Sequence, residues 1–271
     1  MKKPAPVRDI PVVILAGGRG MRLHELTESL PKPMAPIGGR PILWHIMRIY
    51  ADQGFRRFIL CLGYKGETIK EYFMNLDWRG GDFTVRWEGG RRVVDLHTPM
   101  AEDWSITFAD TGEAAETGAR IKKIARYVKE DLFFATYGDG VSDIDLRALL
   151  DAHVRSGKTA TLTALHPTSK FGTVEFSEDH EIQYFREKPL GEEWVSGGFF
   201  VFGRKVFDYL SEEDGCVLER EPFDAIVRDH GFNVYKHEGF WRNMDTFKDW
   251  KALNDLCASG EAPWRRKAPR G

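Results

Sequence analysis

The chain has 271 residues, 42% of them apolar, which is enough to bury one sizeable α/β core. Lys and Arg number 39 against 41 Asp and Glu, a formal net charge of -2, so no whole-chain field draws nucleic acid or an acidic membrane. No stretch approaches the roughly 18 apolar residues of a membrane span, and three scattered cysteines offer neither zinc spacing nor a disulfide framework.

Residues 1–10 read as a loose leader without the apolar centre of a signal peptide, so a cytoplasmic location is expected. The continuously apolar run Pro11-Val12-Val13-Ile14-Leu15-Ala16 ends in glycines and predicts a strand buried on both faces. A helix follows at 41–53, with Pro41 suited to its start and Gly54 to its end. Another buried strand is expected at 57–62 and a helix at 67–76. Phe83, Val85 and Trp87 alternate before the turn pair Gly89-Gly90, and Val93 to Leu96 returns, which predicts a hairpin.

Alternation then resumes with a helix at 117–129, a strand at 132–137, a helix at 143–156 and a strand at 159–165. An antiparallel stretch over 172–186 precedes a strand at 197–202 and helices near 204–210 and 221–230. A strand at 232–237 and a helix at 246–258 follow. Repeated βα units imply a mostly parallel sheet covered on both faces, a Rossmann-like three-layer α/β sandwich with β-hairpin insertions. No linker or repeat divides the chain, so one domain is expected over 11–264, followed by a basic tail at 265–271.

Gly17-Gly18-Arg19-Gly20-Met21-Arg22 follows the first strand directly. Glycines there let backbone N–H groups close on phosphate oxygens, and a guanidinium at Arg22 can fork onto a polyphosphate. The turn fits neither common phosphate-loop pattern. Lys32 lies between Pro31 and Pro33 on a restrained backbone, where it is either a preplaced counter-charge or an ordinary surface lysine. Asp139 follows a buried strand and a glycine, the carboxyl end where open α/β sheets bind ligands. Asp245 is either a second ligand for a hard cation or part of the cap formed by Thr246 and Asp249; Asp143 and Asp145 suit the start of the helix at 143–156.

Taken together, Gly-Gly-x-Gly-x-Arg-Leu, Pro-Lys-Pro-Met and Gly-Gly-x-Pro-Ile-Leu resemble the nucleotide-binding segment of the sugar-1-phosphate nucleotidylyltransferases. The resemblance runs over about residues 11–264 through Tyr137-Gly138-Asp139-Gly140, Glu187-Lys188-Pro189, Gly197-Gly198-Phe199-Phe200 and Met244-Asp245-Thr246. The later segments, with Gly239-Phe240-Trp241, look like the glucose-1-phosphate cytidylyltransferase branch. The resemblance implies the nucleotide-diphospho-sugar transferase fold and a reaction between CTP and glucose 1-phosphate. It assigns the nucleotide to Leu15, Ala16, Gly17, Gly18, Gly20, Arg22, Lys32, Thr111, Gly112, Thr117, Gly118 and Arg120. The sugar phosphate falls to Tyr137, Gly138, Gly172, Glu187, Lys188, Ser196, Gly197, Gly198 and Trp241. Mg²⁺ falls to Asp139 and Asp245, while Arg22, Lys32 and Lys188 carry the catalytic charge. Relatives of this kind are usually homo-oligomers.

Three positions depart from that pattern: Met21 stands for Thr, Ser196 for Asn and Pro36 for an acidic residue. The change at Ser196 removes an amide that bonds two sugar hydroxyls. The same chemistry with another sugar phosphate, or with UTP or dTTP, therefore stays open. So does a non-catalytic relative that senses a nucleotide sugar.

Overall fold

The structure, a computed structural model, describes residues 6–18, 20, 30–76, 81–97, 102–167, 173–178, 182–186, 191 and 193–265. The first strand, β1 (Pro11–Leu15), is buried along nearly its whole length, as its apolar run requires. Two-residue strands β2 (Pro36–Ile37) and β3 (Arg40–Pro41) lead into α1 (Ile42–Ala51), which starts immediately after Pro41. Strand β4 (Arg57–Leu62) and α2 (Gly66–Met74) complete the first βα repeat. The expected hairpin is β5 (Phe83–Glu88) paired with β6 (Arg91–Leu96), joined through Gly89 and Gly90 at φ +57° and +80°.

Strand β7 (Ser105–Asp110) is not among the expected elements. It pairs in parallel with β4 at the sheet edge, where half-exposed residues leave no continuous apolar signal. The helix expected over 117–129 is shorter, α3 (Thr117–Lys123), and gives way at Ile124 to a 3-10 turn over Ala125–Tyr127. Next come β8 (Leu132–Tyr137), the short β9 (Gly140–Ser142) and α4 (Leu146–Ser156). Asp145 caps α4 by accepting from the amides of Arg147 and Ala148, as its position suggests. Asp143 does not cap it but faces His237 at 3.1 Å.

The remaining strands are β10 (Ala160–Leu165), the pair β11 (Thr173–Phe176) and β12 (Ile182–Arg186), and β13 (Val195–Gly203). The segment after β13 is a 3-10 helix, Arg204–Tyr209, rather than an α-helix. The chain finishes with α5 (Glu221–Arg228), β14 (Phe232–Lys236), β15 (Trp241–Asn243) and α6 (Phe247–Ala258).

Seven strands form the central sheet in the order β14-β10-β13-β8-β1-β4-β7. All neighbours run parallel except β13, which is antiparallel to both β8 and β10. Side chains alternate across the sheet, so each strand feeds two cores. Val12, Ile14, Phe58, Leu60 and Phe134 pack beneath α1, α2, α4 and α6. Val13, Ile59, Cys61, Phe133 and Ala135 pack on the other face against α3, the 3-10 helix and α5. The carboxyl ends of β1, β4 and β8 are thereby held rigid beside one another, and the glycine turn opens from them. Among the described residues no helix is long and apolar enough to cross a membrane.

Candidate functional site

A cavity of about 230 Å³ opens at the carboxyl ends of β1 and β8. Leu15, Gly17, Gly18 and Gly20 form one wall, Lys32 and Pro33 the floor beside it, and Tyr137, Gly138 and Asp139 the wall opposite. The start of α3 closes it through Ala115, Glu116, Thr117 and Arg120.

Two of the glycines are sterically required. A Cβ on Gly17 would come within 2.2 Å of the Arg120 guanidinium. Gly20 has φ +60°, and a Cβ there would lie 2.7 Å from the Lys32 Cβ. The turn is thus moulded onto the two cations that flank it.

Arg120 is buried and engaged at both terminal nitrogens. Its Nη2 donates to Gly17 O at 3.1 Å, and its Nη1 donates to Leu62 O, Thr111 Oγ1 and Gly112 O. Burial lowers its pKa from the ordinary value, against the pull of neighbouring Glu116, Asp214 and Asp110. The guanidinium therefore works as a clamp that ties three loops together beneath the cavity. Thr111, Gly112 and Gly118, expected near the nucleotide, lie behind that clamp. The Thr111 hydroxyl donates to Leu62 O at 2.6 Å, and a Cβ on Gly118 would press on Cys216. Ala16 is fully buried between strands, its amide bonded to Cys61 O.

Lys32 is the electrostatic centre. Its Nζ donates to Asp139 Oδ2 at 2.6 Å and to Asp245 Oδ1 at 2.7 Å. Burial works against its charge, yet the two carboxylates raise its pKa above the ordinary value. Asp245 therefore belongs to this cluster, while Thr246 and Asp249 form a capping box of their own at the start of α6.

A two-stranded ribbon brings the carboxylates together. β9 pairs antiparallel with β15, and the Met244 amide donates to Asp139 O at 2.8 Å. Two hard oxygens converging on one cation suit Mg²⁺, which takes one or two carboxylates and fills its octahedron with phosphate and water. Among the described residues no group of three or more His, Cys, Asp or Glu side chains could hold a metal.

At the residues expected to meet the sugar phosphate, β13 carries an irregularity opposite β10 between Leu162 and Ala164, where Gly197 and Gly198 sit. Gly198 has φ +74°, and a Cβ would come 2.5 Å from the Tyr137 ring. The Trp241 indole donates to Gly197 O at 2.8 Å, so it meets the backbone of this irregular stretch. The Ser196 hydroxyl accepts from the Gly198 amide at 3.4 Å. Arg22, Gly172, Glu187 and Lys188 lie outside the described residues.

Glu219 was not singled out by sequence, yet it accepts from both the Tyr137 and the Thr117 hydroxyls. Asn243 was also missed; its amide donates to Asp245 Oδ2 at 2.5 Å. Glu219 gave no local signal, because its partners lie 102 and 82 residues away, whereas Asn243 stands just two residues before the aspartate it holds, beside a segment already singled out.

Residues 11–254 match the family described as Nucleotidyl transferase. The chain is 44% identical over 255 residues to glucose-1-phosphate cytidylyltransferase of Salmonella typhi, covering 93% of this chain and 98% of the relative. It is 31% identical over 248 residues to D-glycero-alpha-D-manno-heptose 1-phosphate guanylyltransferase of Aneurinibacillus thermoaerophilus, covering 90% and 97%. Among solved structures it resembles HddC from Yersinia pseudotuberculosis complexed with GMP-PN, with a TM-score of 0.65 at 20% identity over 91% of this chain and 98% of that one.

Proposed function

The chain belongs to the nucleotidyl transferase family, and on that premise we propose that it transfers a cytidylyl group from CTP to α-D-glucose 1-phosphate, giving CDP-glucose and pyrophosphate. The observation that carries the reading is the Lys32 ammonium held by Asp139 and Asp245 beside a glycine turn. That arrangement supplies what phosphoryl chemistry asks of a protein: fixed charge and alignment. Its specific substrates are supported by the near-full-length likeness to a cytidylyltransferase of glucose 1-phosphate.

In the proposed reaction an oxygen of the sugar phosphate forms a bond to the α-phosphorus of CTP, and the bond to the pyrophosphate oxygen breaks. The second pKa of a phosphate monoester is about 6, so the nucleophile is largely dianionic at neutral pH without a general base. Asp139 and Asp245 would hold Mg²⁺, which neutralises phosphate charge when bound. Lys32, once released from the carboxylates, and Arg22 would carry the departing β- and γ-phosphates. Lys188 would steer the attacking phosphate, and Glu187 would bind sugar hydroxyls. The glycine turn would border the triphosphate at Gly18 and Gly20, and Tyr137, Gly138 and the Gly197–Gly198 backbone would shape the sugar side. A homo-oligomer in the cytoplasm, built from one nucleotidyltransferase domain over 11–264, completes the proposal.

Pyrophosphate release is the test, measured in Mg²⁺ with CTP, UTP, dTTP, ATP and GTP against several sugar 1-phosphates. Release confined to CTP with glucose 1-phosphate supports the pair. Release with another sugar keeps the mechanism and moves the specificity to Ser196. No release from folded protein that still binds nucleotide overturns the catalytic reading.

A further inference from the structure

One carboxylate joins the two halves of the cavity. Glu219 lies just before α5, in the segment that runs past the start of α3. Its Oε2 accepts from Thr117 Oγ1 at 2.7 Å, and its Oε1 accepts from the Tyr137 hydroxyl. Thr117 is the first residue of α3 and lines the cavity on the side of the glycine turn. The same helix carries Arg120, which holds the carbonyl of Gly17. Tyr137 ends β8, leads directly into Gly138-Asp139, and lays its ring against Gly198.

Thr117 is held from a second direction as well, because its hydroxyl accepts from the Leu218 amide at 2.9 Å. A closed ring of bonds therefore runs through Leu218, Glu219 and Thr117, and Tyr137 is attached to it at one point. Both hydroxyl protons point at Glu219, so any contact that the Tyr137 oxygen makes to a ligand is as an acceptor. An acceptor there suits a ligand hydroxyl and disfavours a bare phosphate oxygen.

We propose that Glu219 is a positioning residue shared by both substrates, setting Thr117 for the nucleotide and Tyr137 for the sugar phosphate. This inference rests on the proposed function above. Glu219 is exposed and packs in neither core, so its replacement leaves the fold standing.

Glu219→Gln tests it, because the isosteric amide keeps one acceptor and turns the other into a donor. Steady-state kinetics should show KM raised about tenfold for both substrates, with kcat changed much less, the size expected for losing a bond to a charged acceptor. In a Tyr137→Phe background the same change should move only the nucleotide KM; in a Thr117→Val background it should move only the sugar-phosphate KM. Unchanged KM values in an active parent, or a fall in kcat alone, overturn the role of Glu219. Absence of turnover by the unsubstituted protein overturns the parent reading and takes this one with it.

Discussion

At Lys32 a single ammonium is shared by Asp139 and Asp245, and it fills the space that a divalent ion between those carboxylates would need. Metal and lysine therefore compete, and removing the lysine should favour the metal. Titration of nucleotide-free Lys32→Met with Mn²⁺ as probe should show affinity raised on the order of tenfold, a change of about 1.4 kcal/mol. An unchanged affinity would mean that the two cations do not share a site. CTP should bind the same variant more weakly, because the lysine is also the expected partner of the triphosphate.

Gly198 is constrained in another way, by both its φ of +74° and the Tyr137 ring 2.5 Å from any added Cβ. Gly198→Ala should lower unfolding stability by about 1–3 kcal/mol in denaturant titration and weaken sugar-phosphate binding as Tyr137 shifts. Gly198 lies where the register between β10 and β13 shifts, with its backbone against the Tyr137 ring.

The short elements matter most to the site. β9 and β15 have three residues each, too few for any periodicity to reveal them, yet their pairing places Asp139 beside Asp245. The longer elements were legible from unbroken apolar runs, as in β1, β4 and β8, or from apolar residues at the helical period, as in α1. β7 escaped because an edge strand needs only one apolar face, and Ser105, Thr107 and Asp110 interrupt the run. The helix start at α4 separates the capping carboxylate of Asp145 from the pair proposed to hold the metal. Asp145→Ala should cost about 1 kcal/mol of stability through the lost cap while leaving turnover unchanged. A large loss of turnover would move Asp145 into the site. The β5–β6 hairpin sets Phe83, Val85 and Trp87 across from Leu96, Val94 and Arg92, a largely apolar face with Trp87 73% exposed.

Across the whole molecule, two buried histidines link stability to pH. His45 bonds Ile37 O at 2.8 Å beneath the first core, and burial, with Arg265 and Arg40 nearby, brings its pKa down to about 4. His153 bonds Thr161 Oγ1 at 3.0 Å, and burial brings its pKa down to about 4 as well. Between pH 6.5 and 4 the unfolded chain binds protons at these positions and the folded chain does not, so stability must fall as pH falls through that window. Each group contributes on the order of 3 kcal/mol at most across it. Thermal unfolding should show the midpoint dropping from pH 6.5 to 4.5, with a shallower drop in His153→Asn. A flat profile in the unsubstituted protein would refute the linkage.

The sequence by itself determined the reaction family and the frame of the fold. The glycine turn, the Pro-Lys-Pro segment and the aspartates at strand ends are local patterns, and buried strands announce themselves by unbroken apolar runs. It also anticipated the capping of α6 by Thr246 and Asp249, which involves neighbours three residues apart. Only the tertiary structure decided what those side chains touch. Lys32 meets Asp139 and Asp245 across 107 and 213 residues, and Asp245 thereby leaves the cap for the site. Arg120 turns inward to hold Gly17, and Glu219 joins Thr117 to Tyr137 across the cavity. Such contacts depend on which strands lie side by side, and strand order is set by packing of the whole sheet rather than by any local stretch of chain.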